Sequence, residues 1–349
     1  MFFSMTSCSE KFNIAAPYKD VTVIYGFLEQ SDTAHYIRIQ KAFLDANKSA
    51  ITMAQTADSS FYSSINVVIK RLDFTSTLID TIHLNRVDLN LEGYPKTAGA
   101  FFNAPNYAYK FKNILDPNYI YRLVVTNYAT GNVDSAETPI ISEDPNIFAV
   151  TMLDDTNAYT NRIDFSEIVG NRKLEFGGAY NPSSNYNYNG YTTPVGVVEM
   201  LFRYNWLDSN GVTGQKNSKY YDYDFGFSTL SSGAFDYKIL NVNLYNGLVT
   251  GMSCAPSGTF RIFSKPQLFV YLGTNDYATY YQVGLSQGTG LTGDEIEPVY
   301  TNIKGANVFG LFTSRALRSG YLTTTTSTFD SLRASSIVNP CTQMYWKNF

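Results

Sequence analysis

Residues 119–141, YIYRLVVTNYATGNVDSAETPII, constrain the chain more than any other stretch. In an extended chain Tyr121, Leu123 and Val125 fall on one face, with Arg122, Val124 and Thr126 on the other. NYATGNV then supplies turn residues, and a second run returns. This is a β-hairpin signature. An isolated hairpin is marginal in water, because its apolar face stays wet. A chain containing this hairpin therefore needs further strands to cover it.

The sequence supplies them at short spacing. In DVTVIYGFLEQSDTAHYIRIQKAF, Val21, Val23, Tyr25 and Phe27 alternate on one face, EQSDTA turns, and Ile37 and Ile39 share a face in the return run. INVVIKRLD and STLIDTIHLNRVDL read as another pair of strands. Ala and Gln within residues 47–58 point to a short helix or folded loop. Several short strands at this spacing predict an immunoglobulin-like β-sandwich over residues 18–142. No Cys–Trp–Cys pattern accompanies it, so an antibody-type domain is not implied. SEDPN (142–146) reads as a boundary, acidic and broken by Pro145.

Residues 143–349 read as a larger β-rich domain. IFAVTML, RKLEFGGAY, GVVEMLFRYNWLDSNG, FDYKILNVNLYNGL and FRIFSKPQLFVYLG carry strand patterns, with WLDSNG read as a hairpin turn. TNDYATYYQVGLSQG breaks the pattern. A capping residue at Thr274 or Asn275, then Tyr277, Tyr280 and Tyr281, then Gly288, predict a helix. TTTSTFDSLRASS predicts a second, short one. The fold class expected is mainly β.

Composition excludes several functions. Apolar residues reach 44% and charged residues 16%, too apolar for wholesale disorder. Net charge is −4 with no basic run, so no nucleic-acid partner is expected. Two histidines, His35 and His83, leave little material for a His-based metal site or general base. The three cysteines, Cys8, Cys254 and Cys341, lack C-x-x-C spacing, so no structural zinc is expected. No G-x-S-x-G occurs, and GTGLTG lacks the lysine of a phosphate loop. Acidic pairs at Asp154–Asp155, Asp222 and Asp224, and Asp294–Glu295 with Glu297 offer carboxylates for Ca²⁺ or glycoside chemistry. None has a known metal-loop spacing, and acids in turns are usually solvated. The expectation is no cofactor, no metal and no catalytic residue.

Aromatic residues are the candidates for binding. Tyr180, Tyr186, Tyr188 and Tyr191 lie in the Asn-rich stretch AYNPSSNYNYNGY, and Tyr220, Tyr221 and Tyr223 in KYYDYDF, with Trp206 between. Exposed Tyr beside Asn suits sugar rings or peptides, giving large contact area at low entropy cost. The competing reading is that these rings cover sandwich edges.

The N-terminus bears on location. Met5-Thr6-Ser7-Cys8 fits the end of a lipoprotein signal, in which two small residues precede an acylated cysteine. Residues 1–7 would then be the tail of that signal and the polar stretch to residue 17 a tether. The alternative is a short start with an incidental cysteine.

Three segments resemble a known family. YIRIQKAFLDANKSA…ADSSFY, YRLVVTNYATGNVDSAET and EPVYTNIKGANVFGLFTSR (297–315) are similar, in order, to segments of an uncharacterised family of Bacteroidota surface lipoproteins, a domain of unknown function. The family is often encoded beside TonB-dependent transporters. The resemblance implies lipid attachment at Cys8, outer-membrane anchoring on the periplasmic or extracellular face, and an outer-membrane transporter as partner. It implies no activity. With Cys8 acylated, Cys254 and Cys341 are left either as a disulfide or as two buried thiols. The function expected is a non-enzymatic, lipid-anchored surface protein that binds a glycan or peptide or docks a partner. The alternatives are a surface glycan hydrolase and a structural or adhesion subunit.

Overall fold

The computed structural model describes residues 21–42, 49–153, 162–164, 166, 173–183, 186–251, 258–287, 300–334 and 345–347. Cys8, Cys254, Cys341, Asp154–Asp155, GTGLTG and the acids at 294–297 lie outside these residues. The fold is mainly β.

The N-terminal part runs β1 (Thr22–Glu29), β2 (His35–Lys41), α1 (Ala50–Ala54), α2 (Ala57–Ser60), β3 (Ile65–Leu72), β4 (Leu78–His83), β5 (Asn85–Asp88), β6 (Tyr107–Phe111), β7 (Ile120–Asn127) and β8 (Val133–Pro139). Two sheets form, ordered β1-β2-β6-β5 and β4-β3-β7-β8. These are the two layers of an immunoglobulin-like sandwich, A-B-E-D over C′-C-F-G. The strand period explains the packing. Ile24, Leu28, Ile37 and Ile39 from one layer meet Val67, Ile69, Leu123 and Val125 from the other, all buried. Each such side chain contributes about 1.5–3 kcal/mol by leaving water. Fully buried Tyr121 opens β7, and its hydroxyl accepts the Asp116 N–H at 2.9 Å. That bond is the tyrosine corner of this architecture. STLIDTIHLNRVDL, expected as one strand, is two: β4 pairs with β3, and β5 crosses to pair with β6 in the other layer.

The chain continues through β9 (Phe148–Val150), β10 (Arg162–Ile163), β11 (Lys173–Tyr180), β12 (Val195–Asn210), β13 (Lys216–Thr229), β14 (Ala234–Leu240), α3 (Asn241–Gly251), β15 (Thr259–Phe263), β16 (Gln267–Thr274), α4 (Asn275–Gln287), β17 (Val308–Tyr321), β18 (Thr323–Thr324), α5 (Thr326–Ala334) and β19 (Tyr345–Lys347). The sheet order β19-β15-β12-β16-β17-β1-β2-β6-β5, with β13 beside β12, runs without a break into the sandwich. The join is β17 parallel to β1, from Thr22↔Val308 to Glu29↔Arg315. Ile140 belongs to the first core and Ile141 to the second, yet Ile303, Val308 and Phe312 also pack in the first. Residues 143–349 thus lend a strand to the sandwich. On the other side, β14-β11-β9 cover the large sheet, with Phe176, Phe235 and Ile239 among the core residues that Val198, Met200, Phe202 and Tyr204 of β12 join.

Two expectations are corrected in this half. WLDSNG is not a turn: β12 runs on to Asn210, and the chain reverses over 211–215. There Asn210 Oδ1 accepts the N–H groups of Val212 and Thr213. In FDYKILNVNLYNGL the strand stops at Leu240 and α3 follows. Its buried residues Asn241, Leu244, Tyr245 and Leu248 have helical spacing. A Cβ on Gly251 would fall 1.8 Å from Tyr221 Cδ2, so the ring of Tyr221 needs a glycine there.

Candidate functional site

Alternate residues of β12 face opposite ways. Val198, Met200, Phe202, Tyr204 and Trp206 fill the core, while Glu199 and Arg203 lie on the outer face. Strand register lines up their neighbours. Phe227, Glu199, Tyr271 and Leu317 form one cross-strand row. Val197, Gly273, Arg315 and Glu29 form the next. Together these rows floor a pocket of about 270 Å³, closed on one side by Tyr277 of α4.

Helix α4 sits over this face as its spacing demands. Tyr277, Tyr280 and Tyr281 point to the sheet. Tyr277 meets Phe27 edge-on at 6.0 Å, Tyr281 stacks on Phe227 at 3.7 Å, and the Tyr280 hydroxyl bonds that of Tyr25. Burial and that bond push Tyr25 up to about 12. The first turn is tethered from outside. Tyr300 Oη donates to Asp276 Oδ1 at 2.6 Å, and Asn302 Nδ2 donates to Asp276 Oδ2 at 3.0 Å. Asn302 also accepts from Phe312 N and donates to Phe312 O, locking this segment to β17.

The charges are unevenly paired. Arg315 Nε donates to Glu29 Oε2 at 2.7 Å. Arg203 grips Asp222 through two bonds, 2.7 and 2.8 Å, between the rings of Tyr220 and Phe269. Glu199 has no hydrogen-bond or ion-pair partner among the described residues. Burial, then the Asp224 charge, raises its carboxyl above the ordinary range. Burial and the Glu199 charge also raise the Tyr271 and Tyr277 hydroxyls. Among the described residues no group of three or more His, Cys, Asp or Glu side chains is placed to hold a metal ion.

None of the sequence-predicted aromatics lines this pocket. Tyr180, Tyr186 and Trp206 are buried, so of the two readings open for them these three side chains are packed inside and not offered as a binding surface. Tyr180 Oη accepts the Ser142 N–H at 2.7 Å, and Phe74 covers Tyr186 edge-on. Tyr221 and Tyr223 are half-buried against the second core. Tyr188 and Tyr191 bracket a two-residue turn, with positive φ at Asn189 and Gly190 as a type I′ turn requires. Tyr191 and Tyr220 are exposed, but the pocket brings neither to its lining. Of the pocket residues, Val197, Glu199, Tyr271 and Tyr277 lie in segments read as strand or helix, and Glu29 lies in the stretch read as a turn. A lone acid, Glu199, inside the apolar run GVVEMLF was their one local signal.

No protein-family model matches the chain, and no curated protein matches it.

Proposed function

We propose that this chain is a binding protein whose ligand enters the pocket between the sheet face and α4. The observation that carries this reading is the concave site itself. Phe227, Tyr271 and Tyr277 supply apolar walls, and a few charged groups at fixed positions supply orientation, the usual make-up of a ligand site. The floor is sheet and the wall is a tethered helix, so the geometry is set before a ligand arrives. The resemblance to surface lipoproteins supports a lipid anchor at Cys8, an outer-membrane location and a role accessory to a transporter. Screening glycans and short peptides against the purified chain tests the pocket. Tyr271→Ala and Tyr277→Ala should each weaken any hit about tenfold or more, and a hit indifferent to both sinks the reading. A pull-down of the Cys8-bearing protein from outer membranes tests the transporter.

A second reading, surface glycan hydrolysis, draws on Glu29 and Glu199 sharing one aromatic pocket. Glu29 is engaged by Arg315, so binding is the better-supported role. Release of reducing sugar that Glu199→Gln abolishes would reverse that order.

A further inference from the structure

We infer that the pocket takes an organic cation, an ammonium or guanidinium group, held against the rings of Phe227, Tyr271 and Tyr277 and paired with Glu199. The inference rests on the binding reading above and names its ligand class. Three observations lead to it. First, the protein's own cations on this face are already committed, Arg203 to Asp222 and Arg315 to Glu29. Second, two carboxylates are left over. Glu199 has no partner among the described residues, and Asp224, next along this face, accepts only the Gly226 N–H at 2.6 Å, with no described cation beside it. The lining carries Glu29, Glu199 and Arg315, so it is one negative charge in excess.

Third, three aromatic rings line the pocket, those of Phe227, Tyr271 and Tyr277. A cation over such rings gains about 0.5–2 kcal/mol, more as water is displaced. A neutral ligand would exclude water from Glu199 and leave that charge unpaired, which is costly. A cation removes the cost and adds an ion pair in a partly dry site. The volume admits a side-chain-sized group, with the rest of the ligand outside. The same ammonium chemistry is presented by a lysine side chain of a peptide and by a free amine.

The test uses the full chain and n-butylammonium, with n-butanol as the neutral isostere. Amide shifts at Gly273 and Tyr277 report on the pocket. Butylammonium should bind saturably there, more weakly as salt rises, and butanol should not. Glu199→Gln should weaken it about tenfold or more, Tyr271→Leu severalfold, and Asp224→Asn less but in the same direction. The tripeptide Gly-Lys-Gly separates the sources. Tighter binding than butylammonium points to a peptide and equal binding to a free amine, and both support the inference. Butanol binding as well as butylammonium, no saturable shift with butylammonium, or Glu199→Gln without effect overturns it. If a neutral glycan or peptide still binds and depends on Tyr271, the pocket reading survives that failure. A ligand indifferent to Tyr271 and Tyr277 overturns both.

Discussion

Tyr277 fills the space that Gly273 leaves in the face of the sheet. A Cβ built on Gly273 would fall 2.4 Å from Tyr277 Cδ1 and 2.8 Å from Val197 Cγ1. The missing side chain in β16 and the ring from α4 are therefore one device, and it shapes the pocket wall. Gly273→Ala should force the ring outward at a cost of about 1–3 kcal/mol, the usual range for overpacking. A urea midpoint unchanged from wild type would show that α4 yields freely.

The tyrosine corner gives a second prediction. Tyr121→Phe keeps the ring and removes the acceptor of the Asp116 N–H. An N–H left unsatisfied here should cost about 1–3 kcal/mol. The urea midpoint should fall while the slope stays constant, since the surface exposed on unfolding is the same. A slope change would mean that the corner also shapes the denatured state.

These two sites differ in how far sequence reveals them. The hairpin of β7 and β8 was legible because Tyr121, Leu123 and Val125 alternate and a turn follows. The helix α4 was legible from Tyr277, Tyr280 and Tyr281. Helix α3 was not, because Asn241, Asn243, Asn246, Gly247 and Gly251 weaken local helical preference, and tertiary packing of Leu244, Tyr245 and Leu248 overrides it. Tyr180 and Tyr186 sit among Asn and Ser, and nothing local reveals that Ser142 and Phe74 will enclose them. The pocket was hidden for a related reason. Glu199, Tyr271 and Arg315 share a face only once three strands adopt one register, and register is a property of the sheet.

Buried and exposed ion pairs should separate sharply. Arg261 stands opposite Asp208 across β15 and β12, with Nε to Oδ1 at 2.9 Å and the guanidinium side chain 2% exposed. Asp208→Ala leaves a buried charge without this partner and should cost about 3–5 kcal/mol. Lys238 bonds Glu175 and Asp236 in the open, where water screens the pair, so Lys238→Ala should leave stability nearly unchanged. Similar losses for the two variants in chemical denaturation would remove the distinction.

His35 predicts a pH dependence. Its ring is buried against Phe111, Nε2 donates to the Asn113 carbonyl at 3.0 Å, and Nδ1 has no hydrogen-bond partner among the described residues. A carbonyl only accepts, so Nε2 carries the proton of the neutral ring. Burial lowers the pKa, with the Asn113 bond opposing it. The unfolded chain then binds a proton at about pH 6.5 that the native state refuses. Stability is full above that pH and falls as pH drops below it. His35→Gln should flatten this slope. An imidazole titrating at or above about 6.5 in the native protein would contradict the assignment.

Glu199 should act in the opposite sense. Burial and Asp224 raise its pKa in the folded chain, so the native state holds the proton more tightly than the unfolded one. The ionised carboxylate therefore destabilises the empty protein above the folded pKa. That penalty fades as pH falls through the folded pKa and is gone below the unfolded value, about 4.3. Glu199→Gln should accordingly stabilise the free protein at neutral pH and lose that advantage in acid. The same substitution should weaken binding of a cation, so a side chain that costs stability when the pocket is empty is the one that holds the ligand. Denaturation midpoints of both proteins between neutral and acid pH would measure the crossover. Equal stability at every pH would mean that water still solvates Glu199 fully.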